Sequence, residues 1–225
     1  LNYDVSMCDC NLEDLSCDLT HLEELFKVES PSAFILVSPL GLVPDMGRVM
    51  SLCDEYGVIL LEDVCESMGS KFKDSYLGSF GFASFFSMYF GHHLSTIEGG
   101  MVCTDDMELS QQIIMCRAHG WDRNIDHSEQ QILRKKHKVN DFYAKYTFYD
   151  LGFNVRSTDI NGFIGNLQLN YWDEIVDKRH KNFIAINNVI AANDDLISIE
   201  CKNMEIVSSF AIPVIAKDMS ILKKY

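Results

Sequence analysis

The sequence predicts an α/β protein with a mainly parallel sheet, followed by part of a smaller C-terminal α+β domain. Short continuous apolar runs at 33–38 and 58–61 are typical of strands that are buried on both faces. A helix-like segment lies between these runs, and short connections in a β-α-β order require a parallel sheet. The 225 residues are 47% hydrophobic and 23% charged, which is the composition of a globular protein.

The first β-α-β unit has clear boundaries. Pro44 and Asp45 open a segment whose apolar residues recur at helical spacing, and Gly57 ends it as a C-cap glycine would. The strand that follows delivers Glu62 and Asp63 to its carboxyl end. Open α/β sheets bind ligands at that edge, so a functional carboxylate is expected at Asp63.

Two further strands are predicted at 83–88 and 100–104, with His92 in the loop between them. An aspartate-capped helix should follow and end at Gly120. Residues 121–150 are polar and aromatic without a clean period, which predicts a loop-rich excursion.

The C-terminal part should begin with a broken helix over about 158–190 and continue with strands at 197–200 and 210–215. We therefore expect a large domain over 1–170 and the linking helix and start of a small domain over 171–225. The first residue is not Met, and the chain stops shortly after a strand-like segment. It is expected to be a piece of a longer polypeptide, with an N-terminal part of the large domain missing and a truncated small domain.

Charge and cysteine content narrow the functional classes. With 33 acidic and 19 basic residues the net charge is −14, which repels phosphate backbones and argues against nucleic acid as a partner. The eight cysteines are scattered and indicate reduced thiols in a cytoplasm. The apolar runs are shorter than the ~18 to 20 residues of a membrane span. Cys8, Cys10 and Cys17 hint at zinc, but a second ligand pair at suitable spacing is lacking, so no metal site is predicted.

The most informative stretch is 86–100, FSMYFGHHLSTIEGG, taken together with LEDVCES at 61–67. In this order and separation the two stretches resemble the DegT-like nucleotide-sugar aminotransferases, vitamin B6 enzymes of the aspartate-aminotransferase fold (fold type I). The likeness extends from about residue 33 to 175 and includes the segments 41–46 and 152–160. It implies a pyridoxal-phosphate-binding large domain.

The resemblance assigns cofactor-binding roles to five residues. Asp63 matches the carboxylate that pairs with the pyridine nitrogen and keeps it protonated, so that the ring can accept electrons. Cys65 would lie against the ring face, Glu66 near the phenolic oxygen, and Ser87 would bind the cofactor phosphate. Asn154 matches an asparagine that reaches the partner's cofactor phosphate in a homodimer, although a simple turn residue is an equally good interpretation.

His92 occupies the position of the family's Schiff-base lysine, and an imidazole cannot hold the cofactor aldehyde covalently. Histidine here resembles the family's 3-dehydratase branch, which uses noncovalently bound pyridoxamine phosphate to remove the 3-hydroxyl of nucleotide-linked 4-keto-6-deoxy sugars. His92 would be the catalytic acid and base, since an imidazole suits both tasks near neutral pH. His93 is expected to be a neighbour rather than a catalyst.

Cysteine positions separate two kinds of 3-dehydratase. An iron–sulfur centre needs about four thiolates, yet no cysteine lies between Cys116 and Cys201. The resemblance therefore implies the cluster-free type, which acts on GDP-4-keto-6-deoxymannose, regains its amino group from glutamate and serves deoxysugar synthesis for lipopolysaccharide O-antigen and other surface polysaccharides. Two alternatives remain: a sugar aminotransferase that leaves nitrogen in the product, and a catalytically degenerate relative that binds nucleotide sugar.

Ordinary structural interpretations compete with these roles. Asp63 could cap a helix after its strand, Ser87 could simply end a strand, and Glu66 could be a first-turn carboxylate. The basic run at 134–138 is most simply a solvated face, with a smaller chance of contacting a nucleotide diphosphate. Trp121 could border a sugar site, but a buried aromatic is the simpler interpretation.

Overall fold

The protein is described by a computed structural model that covers residues 3–223. The described chain forms two compact units. We call residues 3–102 with 163–223 the sheet unit, and residues 103–162 the helical unit. The domain boundary predicted between residues 170 and 171 stays a prediction.

A four-stranded sheet, in the order β1-β2-β5-β6, organises the sheet unit. Its strands are β1 (Ala33–Val37), β2 (Ile59–Asp63), β5 (Ala83–Ser87) and β6 (Gly100–Cys103). β1 and β5 both run parallel to β2. The four strands predicted for this sheet, and the α/β class with a mainly parallel sheet, are confirmed.

The two helices that flank β1 have aspartate caps. Asp18 accepts backbone N–H bonds at the start of α1 (Leu19–Glu29), and Asp45 does so for α2 (Met46–Tyr56). Gly57 ends α2 in the left-handed conformation at φ 66°, as its C-cap position requires. The helix predicted between the first two strands is therefore confirmed, whereas α1 was not foreseen.

The main core of the sheet unit lies where these helices meet the sheet. Phe26 of α1 is 2% exposed, and its ring packs edge-on against Phe34 of β1 and Tyr56 of α2. Each large apolar side chain buried in this way stabilises the fold by about 1.5–3 kcal/mol. Other members of this core come from α1, α2, β1, β2 and the residue just before β2: Leu22, Leu36, Met46, Val49, Leu52, Leu60, Val58.

The remaining strands of the sheet unit are short. β3 (Lys71–Phe72) pairs with β4 (Ser75–Tyr76) and β8 (Met204–Ile206), and β7 (Leu196–Ile197) pairs with β9 (Ile215–Ala216). The strand predicted at 197–200 is thus confirmed only at its first residue. The strand predicted at 210–215 is wrong except at its last residue: Pro213 has no N–H to donate, and the Phe210 carbonyl accepts a side-chain hydrogen bond instead.

The predicted broken helix is confirmed. α6 (Asp159–Leu169) and α7 (Trp172–Ala191) are separated by residues 170 and 171, and a final short helix, α8, covers Met219–Leu222. Phe183 of α7 is 1% exposed and packs in a second core.

The helical unit contains α3 (Met107–Cys116), α4 (His127–His137) and α5 (Asp141–Ala144). The loop-rich excursion predicted for 121–150 is therefore wrong over two helices. α4 lacks an apolar period, but Glu129 in its first turn and four basic residues in its last turn complement the helix dipole. Its Arg134 also pairs with the fully buried Asp122 at 2.7 Å.

Candidate active site

The carboxyl edge of the parallel sheet gathers three of the predicted site residues. β2 ends at Asp63 and β5 at Ser87, and Asp63 pairs in register with Phe85. The Cys65 thiol lies against this neighbouring strand, with its sulfur 3.9 Å from the Phe85 carbonyl and within reach of the Ser87 N–H. Asp63, Cys65 and Ser87 thus share one edge, as parallel strands require.

Asp63 is half-buried, and its carboxylate accepts a hydrogen bond from a nearby backbone N–H. Its Oδ1 accepts the Cys65 N–H at 3.1 Å and so stabilises the turns over 65–69. The alternative that Asp63 caps a helix is wrong, because β2 is followed by these turns and then by the next strand. Burial, followed by the hydrogen bond with Asp63 and its negative charge, raises the pKa of the Cys65 thiol to about 12. Cys65 is therefore a protonated, weakly polar side chain at neutral pH and not a nucleophile.

Glu66 has a backbone partner. Its Oε2 accepts the N–H of Leu40 at 3.0 Å, and Leu40 has a positive φ of 56° in the short 3-10 turn that follows β1. The carboxylate stabilises this strained turn beside the sheet edge. The cofactor contact predicted for Glu66 stays a prediction.

Ser87 begins the loop that carries the two histidines. Its Oγ accepts the Tyr89 N–H at 3.3 Å. The loop closes where the Met88 N–H donates to the Gly99 carbonyl and the Thr96 N–H donates to the Met88 carbonyl, both at 2.9 Å. A Cβ on Gly99 would stand 2.5 Å from the Thr96 hydroxyl oxygen, so glycine is required at this closure.

His92 is half-buried inside this loop. Its backbone N–H donates to the Tyr89 carbonyl at 3.0 Å, and its ring packs edge-on against Tyr89 and Phe210, with centroid distances of 5.9 and 5.0 Å. Nδ1 is enclosed and has no hydrogen-bond partner among residues 3–223. Nε2 is consequently the nitrogen left to exchange a proton with a ligand.

His93 points into the protein. It is 3% exposed, and its Nε2 lies 2.8 Å from the Ser208 carbonyl. Burial, and secondarily the positive charge of Arg179, lowers the pKa of His93 to about 4. His93 is therefore neutral at physiological pH, and Nε2 carries the proton because a carbonyl can only accept.

Asn154 belongs to the helical unit. It is exposed, forms a backbone bridge with Ala118, and its Oδ1 accepts the Nε–H of Arg156 at 3.2 Å. Residue 154 therefore lies in an isolated bridge and not in a turn, so the interpretation of Asn154 as a turn residue is wrong. Its predicted contact with a partner's cofactor stays a prediction.

The sequence analysis located Glu62 at the end of β2 but did not predict its structural role. This side chain is 1% exposed and accepts three backbone N–H bonds, from Gly78 at 2.8 Å and from Phe80 and Gly81 at 2.7 Å. The signal was a charged residue inside an apolar strand, one position before Asp63 and so on the opposite face of the sheet. Glu62 fixes the 78–81 turn that leads into β5, the strand of Ser87.

Residues 3–223 contain neither a cluster of metal ligands nor a membrane-spanning helix. No group of three or more His, Cys, Asp or Glu side chains in this range could hold a metal ion. None of the helices described there is long and apolar enough to cross a membrane.

The Cys8 and Cys17 sulfurs lie 3.4 Å apart as free thiols, and burial is the main cause that raises the pKa of each.

Two curated relatives are similar to this chain in sequence. A GDP-4-keto-6-deoxy-D-mannose 3-dehydratase of Escherichia coli is 34% identical over 184 residues, which are 79% of this chain and 45% of that protein. The enzyme of the same name from Yersinia pseudotuberculosis is 33% identical over 79% of this chain and 44% of its own length. The chain therefore spans about half the length of the curated relatives it matches.

Solved structures share the fold. A mutant GDP-4-keto-6-deoxymannose-3-dehydratase with bound GDP-perosamine superimposes with a TM-score of 0.83 at 29% identity, over 95% of this chain and 54% of that one. The Escherichia coli enzyme with bound hydrated pyridoxal phosphate gives 0.81 at 28% identity, with the same coverage. These matches confirm the type I aminotransferase fold. The profile of the DegT/DnrJ/EryC1/StrS aminotransferase family matches residues 1–224, and the chain belongs to that family.

Proposed function

We propose that this chain forms part of a pyridoxamine-phosphate-dependent 3-dehydratase. Its substrate would be a nucleotide-linked 4-keto-6-deoxyhexose of the GDP-4-keto-6-deoxymannose type, in deoxysugar synthesis for surface polysaccharide. The observation that carries this proposal is His92, which lies in the loop after β5. The resemblance to the family assigns the Schiff-base lysine to this position. The similarity to the Escherichia coli and Yersinia 3-dehydratases supports it.

The side chains at the sheet edge fit the cofactor. A carboxylate can accept about four hydrogen bonds, and Asp63 uses part of this capacity for the Cys65 backbone N–H and thiol. It can therefore still accept a protonated pyridine nitrogen. Ser87 accepts one weak bond and keeps its own O–H to donate to a phosphate. The protonated Cys65 presents a compact, neutral sulfur suited to a ring face.

The reaction needs one group that accepts a proton from the cofactor and delivers it to the 3-hydroxyl of the sugar. When bound, pyridoxamine phosphate supplies an amino group for the sugar ketone and a ring that accepts electrons. His92 would accept a proton at Nε2 and deliver it to the departing 3-hydroxyl, since its other nitrogen is enclosed. Asp63 would hold the proton on the pyridine nitrogen throughout.

The assembly and setting of the enzyme form part of the proposal. Glutamate would return the amino group to the cofactor, and the enzyme would act as a cytoplasmic homodimer in which Asn154 reaches the partner's site. The chain would contribute a large domain over 1–170 and the start of a small domain over 171–225. No iron–sulfur cluster is proposed, because the cysteine pattern of that branch is absent between 116 and 201.

The test uses the full-length protein with added pyridoxal phosphate, then glutamate, then GDP-4-keto-6-deoxymannose. We expect glutamate to convert the bound aldehyde to the amine form, seen by absorbance. The product should lack the 3-hydroxyl, and ammonia should be released. His92→Asn should abolish product, while His127→Asn, an exposed histidine at the start of α4, should not. A product that retains nitrogen would indicate an aminotransferase, and absence of cofactor binding a degenerate relative.

A further inference from the structure

We propose that residues 207–210, called the strap, position the ring of His92. Phe210 would make the direct contact, and Arg179 and His93 would hold the strap in place. All three are then positioning residues for the proposed reaction. The inference rests on the acid and base role proposed for His92, but its test includes a readout that needs no activity.

The strap is buried although it is neither helix nor strand. Val207, Ser208 and Ser209 are 1%, 0% and 5% exposed. A buried irregular segment must find partners for its backbone groups outside regular secondary structure. The partners found here come from side chains of distant parts of the sheet unit.

Two of these partners bind backbone N–H groups. His180 Nδ1 accepts the Val207 N–H at 3.1 Å, and the Ser70 hydroxyl oxygen accepts the Ser208 N–H at 2.9 Å. The Ser70 hydroxyl in turn donates to the Gly41 carbonyl at 3.0 Å. The strap is thereby joined both to α7 and to the turn that follows β1.

Two more partners bind carbonyl groups. Arg179 Nη1 donates to the Ser209 and Phe210 carbonyls, at 2.8 and 3.3 Å, and His93 donates to Ser208 at 2.8 Å. Burial lowers the pKa of Arg179, and no carboxylate in the described part of the chain forms an ion pair with it. Arg179 is half-buried, and its two partners are carbonyls rather than an anion. This arrangement indicates that the guanidinium holds the strap in place.

Phe210, the last residue of the strap, contacts the ring of His92. Phe210 meets that ring edge-on, with centroids 5.0 Å apart and planes at 81°. A catalytic histidine is commonly oriented by a hydrogen bond at its second nitrogen, but Nδ1 of His92 has no such partner among residues 3–223. The aromatic contacts of Phe210 and Tyr89 are therefore what orients the ring.

His92 and His93, which are adjacent in the loop, both contact the strap. His93 binds the Ser208 carbonyl while the His92 ring rests on Phe210. The loop and the strap consequently fix each other through one hydrogen bond and one ring contact. Loosening the strap should leave cofactor binding by Asp63 and Ser87 in place and disturb mainly the direction of the His92 ring.

The experiment compares Phe210→Leu, which removes the ring but keeps apolar volume, with Phe142→Leu at an 80% exposed position. Histidine ring signals are recorded by NMR on the full-length protein and assigned with His92→Asn. In Phe210→Leu we expect shifted His92 signals, because the ring current is lost, with kcat lowered about ten- to hundredfold and KM within about twofold. Phe210→Tyr should restore both signals and kcat, and Phe142→Leu should change neither.

A second pair of variants, one test and one control, covers the case in which Phe210→Leu does not fold. Arg179→Lys should move the His92 signals and lower kcat, whereas Lys178→Gln, an exposed neighbour on α7, should not. Unchanged His92 signals in the folded variants would overturn the inference. If instead His92→Asn keeps full activity, the proposed function fails, while the NMR comparison still decides whether the strap positions the ring.

Discussion

Replacing Glu62 by glutamine should destabilise the sheet unit by about 3 kcal/mol. In the structure Oε1 accepts the N–H groups of Phe80 and Gly81, and Oε2 accepts that of Gly78. Glutamine keeps one acceptor oxygen, and its NH₂ group must face a buried N–H. One charge-assisted bond worth about 1.5–3 kcal/mol is lost, and the remaining bonds weaken towards the ~1 kcal/mol of neutral pairs. The smaller desolvation cost of an amide offsets part of this loss.

Thermal unfolding of the full-length protein measures this effect. At about 2–4 °C per kcal/mol for a domain of 150–250 residues, the Tm of the domain that contains Glu62 should fall by roughly 6–12 °C. Glu24→Gln, on the exposed face of α1, is the matched control and should leave Tm within about 1 °C. If Glu62→Gln behaves like this control, the three-donor geometry around the carboxylate is wrong.

Three other changes test different parts of the structure. His93 is buried with a folded pKa of about 4 against an unfolded value of about 6.5, so stability should be full above pH 6.5 and fall as the pH drops towards 4, by up to about 3 kcal/mol. Denaturant titrations over this range should show the slope, and His93→Gln should flatten it. Asp122→Asn should destabilise the helical unit by about 3–5 kcal/mol by leaving Arg134 without its buried partner, and protease should then cut within 121–150 faster than in wild type. Unchanged cleavage would contradict this. Gly152→Ala places a Cβ 2.3 Å from a backbone nitrogen and should lower Tm by several degrees, whereas Gly162→Ala in α6 meets nothing within 4 Å and should be neutral or stabilising.

Local patterns made the sheet and its edge predictable. The apolar runs, the Gly57 cap and the order of elements located β1, α2 and β2, and the carboxyl-edge rule then singled out Asp63. The position of His92 came from the resemblance to a family, since an isolated histidine in a loop has no distinctive pattern of its own. These signals are local in sequence, and the structure agrees with them.

The features that sequence reasoning missed depend on contacts between distant residues. The bonds of the strap join residues 27 to 138 positions apart, so Phe210 could be placed beside His92 only once the chain was folded. The polar helix α4 lacks an apolar period and contains an arginine whose ion pair lies twelve residues away. The predicted strand at 210–215 failed for a related reason, because the Arg179 side chain of α7 binds the carbonyl of Phe210 at the start of that segment.

The central claim, that His92 stands where the family forms its covalent bond to the cofactor, is tested most directly by borohydride reduction of the full-length protein with pyridoxal phosphate. Mass spectrometry of the peptide carrying residue 92 then reports any reduced cofactor adduct. We expect no adduct in the wild type, although cofactor is bound, and an adduct at this position in His92→Lys. An adduct on another lysine of the wild type, or none in His92→Lys despite bound cofactor, would contradict it.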